Sequence, residues 1–268
     1  MEENKNVEQD YKELLKLVTA RRTCRDFSPE PFPDDYVDKI LEVARWAMSG
    51  ANGQPWEFIV IRDPQMRKQL FDAWNEINVD FTFWMEQQRV FDLRQPRYKM
   101  KGEPHEALQA MQNMHLWRDA PVVIAVIGDG RKQWSTIMGG HTFGLDQTHL
   151  SDGLAMASYL IHLSASTLGL TSQWVSIHLQ DPFKKILEIP PMYKLHTLIP
   201  IGYPTKPLPW GYREPLEGKV HYDKYDMSKF MTNEESIQRL YDLRQATYKQ
   251  YSKSGYFEVV KNLDDAEK

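Results

Sequence analysis

Apolar residues recur at helical spacing in two early stretches. The first is Val7, Tyr11, Leu14, Leu15 and Val18; the second, after a turn marked by Pro29, Pro31 and Pro33, is Val37, Ile40, Leu41, Ala44, Ala47 and Met48. One apolar residue every three or four places lays a single stripe on a helix, so both stretches are predicted as amphipathic helices. RRTCRDF (21–27) lies between them, too polar for a core strand and too short for a helix, which makes it a connector that presents side chains. WEFIVI (56–61) and PVVIAVI (121–127) are unbroken apolar runs of strand length, predicted as strands covered on both faces. SQWVSI (172–177) and the run from Leu195 to Ile201 read the same way, with Pro200 pointing to an edge position or a strand end.

From His149 to Leu168 the pattern is apolar nearly all round, and Ala155, Ala157, Ser158, Ser164 and Ala165 are small enough for another backbone to come close. A helix of that kind is buried, here with a subunit interface as one setting. Asp181 and Pro182 read as the N-cap and first position of a short helix through Leu187. Trp74, Ile77, Asn78, Phe81, Trp84, Met85 and Gln88 make one helical stripe, and Ala107, Leu108, Met111, Met114 and His115 another. The basic segment between them holds Arg89, Arg94, Arg97, Lys99 and Lys101, and reads either as a solvated face or as a lid with anion-binding arginines. After Asp226 the chain turns polar, and Thr232 with Glu235 forms a capping box ahead of a last helix to about Tyr248. Helices and strands mix without regular βαβ alternation, so the expected class is α+β: one domain over 1–268, with a helical insertion at about 74–116 and a C-terminal extension from about 227.

Composition narrows the function classes. At 268 residues, with 41% hydrophobic and 26% charged residues, the chain can bury a sizeable core. A net charge of −4 with no long basic stripe gives a polyanion little to hold, so nucleic acid is not an expected partner. The single cysteine, Cys24, leaves no intrachain disulfide and no CxxC pair; together with an acidic, interrupted N-terminus unlike a signal peptide, this gives cytoplasm as the expected location. The eight histidines include no HxxxH pair, so no metal site is expected. GDG (128–130) is followed by Gln133 where a dinucleotide fingerprint needs glycine, and is read as a turn.

Two segments carry candidate chemistry. Arg21, Arg22, Thr23 and Arg25 crowd three guanidinium groups and a hydroxyl into five residues, a set that an anion such as phosphate would satisfy. The competing reading is a helix C-terminus whose cations offset its dipole. MSGANGQPWEFIVI (48–61) puts two glycines with Ser49, Asn52 and Gln54 just before a strand, where side chains that donate and accept suit a heteroaromatic ring edge. A helix cap followed by a turn explains that segment equally well.

RRTCRDF, MSGANGQPWEFIVI, STLGLTSQWVSI and IPIGYPTKP with YREPLE and HYDKYD, taken in this order, resemble the signature of the nitroreductase superfamily over about residues 15–226, apart from the 74–112 block, which looks like a variable insertion. The resemblance implies a mixed central sheet sandwiched by helices, an intertwined homodimer, and one FMN in each of two clefts between subunits. By motif, Arg21, Arg22, Thr23 and Arg25 would hold the phosphate and the pyrimidine side of the ring, with Arg25 nearest N1 and O2 and Arg213 of YREPLE joining at the phosphate. Ser49, Gly50, Asn52 and Gln54 would come from the opposite subunit, Trp174, Val175 and Ser176 would lie along the ring, and Asn113 would be a further contact. A hydride would pass from NADH or NADPH to flavin N5 and on to a nitroaromatic, quinone or similar acceptor in ping-pong fashion. No general acid is nominated; His141 and His149 are candidates by location alone. Reductive dehalogenation of an aromatic and a non-catalytic flavin carrier stand as alternatives. WVSI resembles the flavin-cleaving branch, but Thr23 stands where that branch has an acid, so flavin cleavage is not expected.

Overall fold

The computed structural model describes residues 3–91, 94, 98, 103–132 and 145–252. The chain forms two compact units, one from residues 1–80 and 112–206, the other from 81–111 and 207–268.

The first unit is built on a four-stranded sheet in the order β1 (Trp56–Ile61), β2 (Val122–Asp129), β4 (Tyr193–Gly202), β3 (Thr171–Ser172). All three ladders are antiparallel; the parallel pairing among the described residues is an isolated bridge between Thr23 and Ser172. Alternation along β2 sends Val122, Ile124 and Val126 into a core shared with α2 (Asp35–Ala44) and the long α6 (Leu145–Thr167), through Val37, Ile40, Leu150, Leu154, Ala157 and Ile161. α3 (Pro64–Trp74) packs against α7 (Asp181–Ile186) in the same unit. Asp63 caps α3, its carboxylate accepting the Met66 N–H at 2.7 Å, with Pro64 in the first turn. A π-helical turn, Asn75–Val79, follows, and buried Asn78 within it accepts the His178 N–H at 3.0 Å. The described residues hold no helix long and apolar enough to cross a membrane.

Several expectations shift. β2 is buried along its whole length, but β1 is an edge strand with half-buried Glu57–Val60, so only one of the two apolar runs is covered on both faces. SQWVSI is not a six-residue strand: pairing stops at Ser172 and resumes only as a bridge from Val175 to Leu198. β4 lies inside the sheet, and its Pro200 turns its missing donor toward this broken stretch, where its carbonyl accepts the Gln173 N–H at 3.2 Å. α2 ends at Ala44, leaving Ala47 and exposed Met48 beyond it. Gln180, not Asp181, occupies the N-cap position of α7, since Asp181 already begins the helix; the Gln180 side chain does not cap it but accepts the Leu195 N–H at 2.9 Å. α6 is not covered all round, since Met156 and Tyr159 are exposed on one face, and so is the whole apolar stripe of α1 (Glu3–Ala20).

The second unit contains most of α4 (Asp80–Gln87) and α5 (Pro104–Gln112), together with α8 (Asn233–Ser252). The capping box forms as read: the Glu235 carboxylate accepts the Thr232 N–H at 2.7 Å and Thr232 Oγ1 accepts the Glu235 N–H at 3.2 Å; α8 then runs four residues past Tyr248. In the basic segment, Arg94 donates to the Gln87 side chain and backbone, and Arg89 lies 3.4 Å from buried Glu86. Both arginines therefore tie the segment to α4. Arg97, Lys99 and Lys101 lie outside the described residues.

Candidate functional site

The connector after α1 is stitched to the far edge of the sheet. Cys24 N–H donates to the Ser172 carbonyl at 3.1 Å beside the Thr23–Ser172 bridge, and three residues on Phe27 bridges Pro204. This holds Arg21, Arg22, Thr23 and Arg25 half-buried along one short line. Arg22 donates to the carbonyls of Thr19 and, at 2.8 Å, Arg21, so one guanidinium closes the end of α1 as the helix-dipole reading requires. Cys24 is fully buried, and desolvation pushes its thiol up from the usual range, which leaves it as packing.

The strip after Ser172 alternates. Val175 is buried, its N–H bonded to Leu198 and its carbonyl accepting Thr197 Oγ1 at 2.9 Å, whereas Trp174 and Ser176 face outward. Trp174 is bracketed by two imidazoles: His162 of α6 stacks at 6.1 Å between centroids and His196 of β4 meets it edge-on at 5.1 Å. His196 sits where the β2–β4 register shifts, so a bulge aims it at the strip. Burial pulls both imidazoles down to a pKa of about 4, with Arg21 adding to the effect at His162 and Lys194 at His196. Both are neutral at pH 7. Neither histidine carried a sequence signal, because a single imidazole inside an apolar helix or strand looks like core.

Ser49, Gly50, Asn52 and Gln54 form a tight loop ahead of β1. Ser49 Oγ accepts the Gln54 N–H at 2.9 Å, closing the loop on itself. Ala51, Asn52 and Gln54 all adopt positive φ, at 50°, 53° and 43°. Left-handed non-glycine residues cost on the order of 1–3 kcal/mol each and gather where the surroundings enforce them. The enforcement is visible: Gly53 lies so close to the Lys132 carbonyl that a Cβ would stand 2.6 Å from it, and Asp129 N–H donates to Pro55 O. The Gly130–Lys132 turn is itself braced by the two-pronged Arg131–Asp129 pair and by Lys132 on Glu57. Gly53 thus meets protein backbone rather than the ligand foreseen from sequence, while Gly50 has open space beside it.

Within the chain these segments meet α6 at different points. Ser49 packs beside Gly153, the ninth residue of α6, and the connector strip meets His162 nine residues later, about 14 Å along the axis at 1.5 Å per residue. Asn113 is exposed in the turn after α5 and makes no side-chain hydrogen bond among the described residues. Arg213 belongs to the second unit, where it donates to Tyr212 O at 2.8 Å. Its neighbour Glu214 is bound by Arg239 and Lys219, which draw its carboxyl down to about 2. His149 is exposed on α6, and His141 lies outside the described residues. An open cavity of about 670 Å³ lined by Ile59, Ile61, Met66 and Leu187 lies along β1, at the sheet edge opposite the connector. No group of three metal-binding side chains is found among the described residues.

The arginine connector on one edge of the sheet and the strained polar loop beside α6 are the two candidate halves of a site. The chain belongs to the nitroreductase family, whose family model matches residues 18–203. Within it, the chain is similar to iodotyrosine deiodinase from Nematostella vectensis, 28% identical over 215 residues that cover 76% of this chain and 73% of that one. It is also similar to iodotyrosine deiodinase 1 from Rattus norvegicus, 26% identical over 200 residues, 72% of this chain and 63% of that one. Among solved structures, oxidized iodotyrosine deiodinase bound to FMN and 3-iodo-L-tyrosine aligns with a TM-score of 0.58 and 21% identity over 79% of this chain and 100% of that one. At that identity the likeness is one of fold.

Proposed function

We propose that this protein is an FMN-dependent oxidoreductase that works as a homodimer and passes electrons from NAD(P)H to a nitroaromatic, quinone or similar conjugated acceptor. The observation that carries the reading is the stitching of Arg21, Thr23 and Arg25 to the Trp174–Ser176 strip through Ser172, which puts cationic and hydroxyl groups on the same short stretch as exposed Trp174 and Ser176. The residues fit the cofactor. Guanidinium and hydroxyl groups suit a phosphate, and Gln173 Oε1, buried without a hydrogen-bond partner among the described residues, is an acceptor that a ring N–H would satisfy.

When bound, FMN would supply a ring that takes up electrons, with negative charge gathering on its pyrimidine side. Arg25 is the residue assigned to meet that charge with its guanidinium. Arg21 and Thr23 are assigned to the phosphate, and Arg22 contributes while closing α1. Trp174, Val175 and Ser176 line the ring, with Asn113 as a further contact. In this reading Ser49, Gly50, Asn52 and Gln54 reach the ring from the second subunit. The exposed apolar faces of α1 and α6 are the surfaces such a subunit would cover.

The test is the visible spectrum of the purified protein before and after NADPH: a yellow protein that bleaches supports the reading, a colourless one that ignores added FMN sinks it, and a yellow one that never bleaches is a carrier. Arg25→Ala is expected to weaken FMN binding about 10- to 100-fold in a fluorescence titration, the range for losing a charge-assisted hydrogen bond. The deiodinase relatives favour a second reading, reductive dehalogenation of an aromatic. Halide release measured against nitro reduction under the same reductant separates the two.

A further inference from the structure

We propose that His162 is a positioning residue of the flavin site, fixing through its 2.7 Å hydrogen bond to Ser172 the strip from which both the arginine connector and Trp174–Ser176 extend. The inference rests on the FMN reading above and goes beyond it, by assigning work to a residue that need not touch the cofactor.

The placement of His162 is costly unless it serves something. It is 6% exposed on α6 between Ile161 and Ala165 and opposite the sheet, where an aliphatic side chain would desolvate nothing polar. Only one of its nitrogens is compensated: Nδ1 bonds Ser172 Oγ, while Nε2 is buried without a partner among the described residues. The compensated side reaches the one residue that joins every part of the half-site. Ser172, 1% exposed, pairs with β4, accepts the Cys24 N–H on its carbonyl and bridges Thr23. Backbone bonds from Gln173 to Pro200 and from Val175 to Leu198 hold the strip from the sheet side. His162 holds it from the helix side, and the same ring stacks on Trp174, whose other edge His196 supports. Because burial keeps the imidazole neutral at pH 7, it can lie near Arg21 without repelling it.

The test is FMN titration, followed by flavin fluorescence, on the full chain and its H162L, H162N and S172A variants and the H162L/S172A double variant, with thermal melts alongside. Loss of one buried hydrogen bond predicts about tenfold weaker binding for H162L and for S172A. Since they break the same bond, the double variant should be no weaker than the worse single one. H162N, which keeps a polar atom at the Nδ1 position, should return to within about threefold of the unaltered chain. Unaltered affinity in H162L and S172A, losses that multiply in the double variant, or no recovery in H162N would each overturn the proposal. Should H162L fail to fold, S172A and H162N still decide the matter. An unaltered chain that takes up no FMN defeats the cofactor reading itself, whereas one that binds FMN while the variants bind equally defeats only the role of His162.

Discussion

Gly50 and Gly53 stand three residues apart in one loop and have different duties. Adding a Cβ at Gly53 drives it to 2.6 Å from the Lys132 carbonyl, and backbone on both sides would have to give. Gly53→Ala is therefore expected to cost about 1–3 kcal/mol in urea unfolding, whereas Gly50→Ala, with open space beside it, should stay within about 0.5 kcal/mol. Titration at His162 gives a second test. Its folded pKa of about 4 lies below the ordinary imidazole value, so on acidification the unfolded chain takes the proton first. Stability attributable to this group is complete above about pH 6.5 and falls by about 1.4 kcal/mol per pH unit down to about pH 4. His196 bends the curve in the same direction. Unfolding free energies at pH 7, 5.5 and 4.5 should show the slope, and H162L should reduce it, leaving the part due to His196. At this scale the sequence was a partial guide. Three guanidiniums and a threonine in five residues announce an anion site by composition alone, but the end of α1 claims Arg22, a division that only its two carbonyl contacts reveal. The buried imidazoles gave no sign, since what marks them is the company they keep in space.

Elements whose cause is local were legible. The capping box at Thr232 and Glu235, the apolar period of α2 and the strand in PVVIAVI translate into structure, because each depends on residues within a turn or a strand of one another, although that strand runs on through Gly128 and Asp129, which read as a turn. Elements whose extent depends on a neighbour were not. SQWVSI has strand composition, yet it loses its ladder after Ser172, where Pro200 cannot donate and the connector pairs on the other side. WEFIVI reads as buried on both faces, but one edge of the sheet has to be last. α6 reads as apolar all round, yet it keeps Met156 and Tyr159 exposed, and α1 does the same with Val7, Tyr11 and Leu14. If a second copy covers these faces, a charge placed there is expected to split the pair. Leu14→Glu or Tyr159→Glu should shift the sedimentation coefficient from dimer to monomer at micromolar concentration and release FMN with it. A monomer that keeps its flavin would count against a shared site.

At the scale of the whole molecule, the family was readable from four ordered motifs, and the match over residues 18–203 bears that out. The acceptor was not, because an open flavin face is chemically permissive and its selectivity would rest on segments that follow no common pattern. The separation of the polar loop from the arginine connector along α6 has a genetic corollary. If each centre draws one set from each polypeptide, an Arg25→Ala chain and an Asn52→Ala chain should each hold FMN weakly when alone. Co-expressed, they would assemble hybrids in which one centre inherits both lesions and the other inherits neither. Complementation in the hybrid, reaching about one functional centre per pair by flavin content, would show that a working centre is the joint property of two gene products.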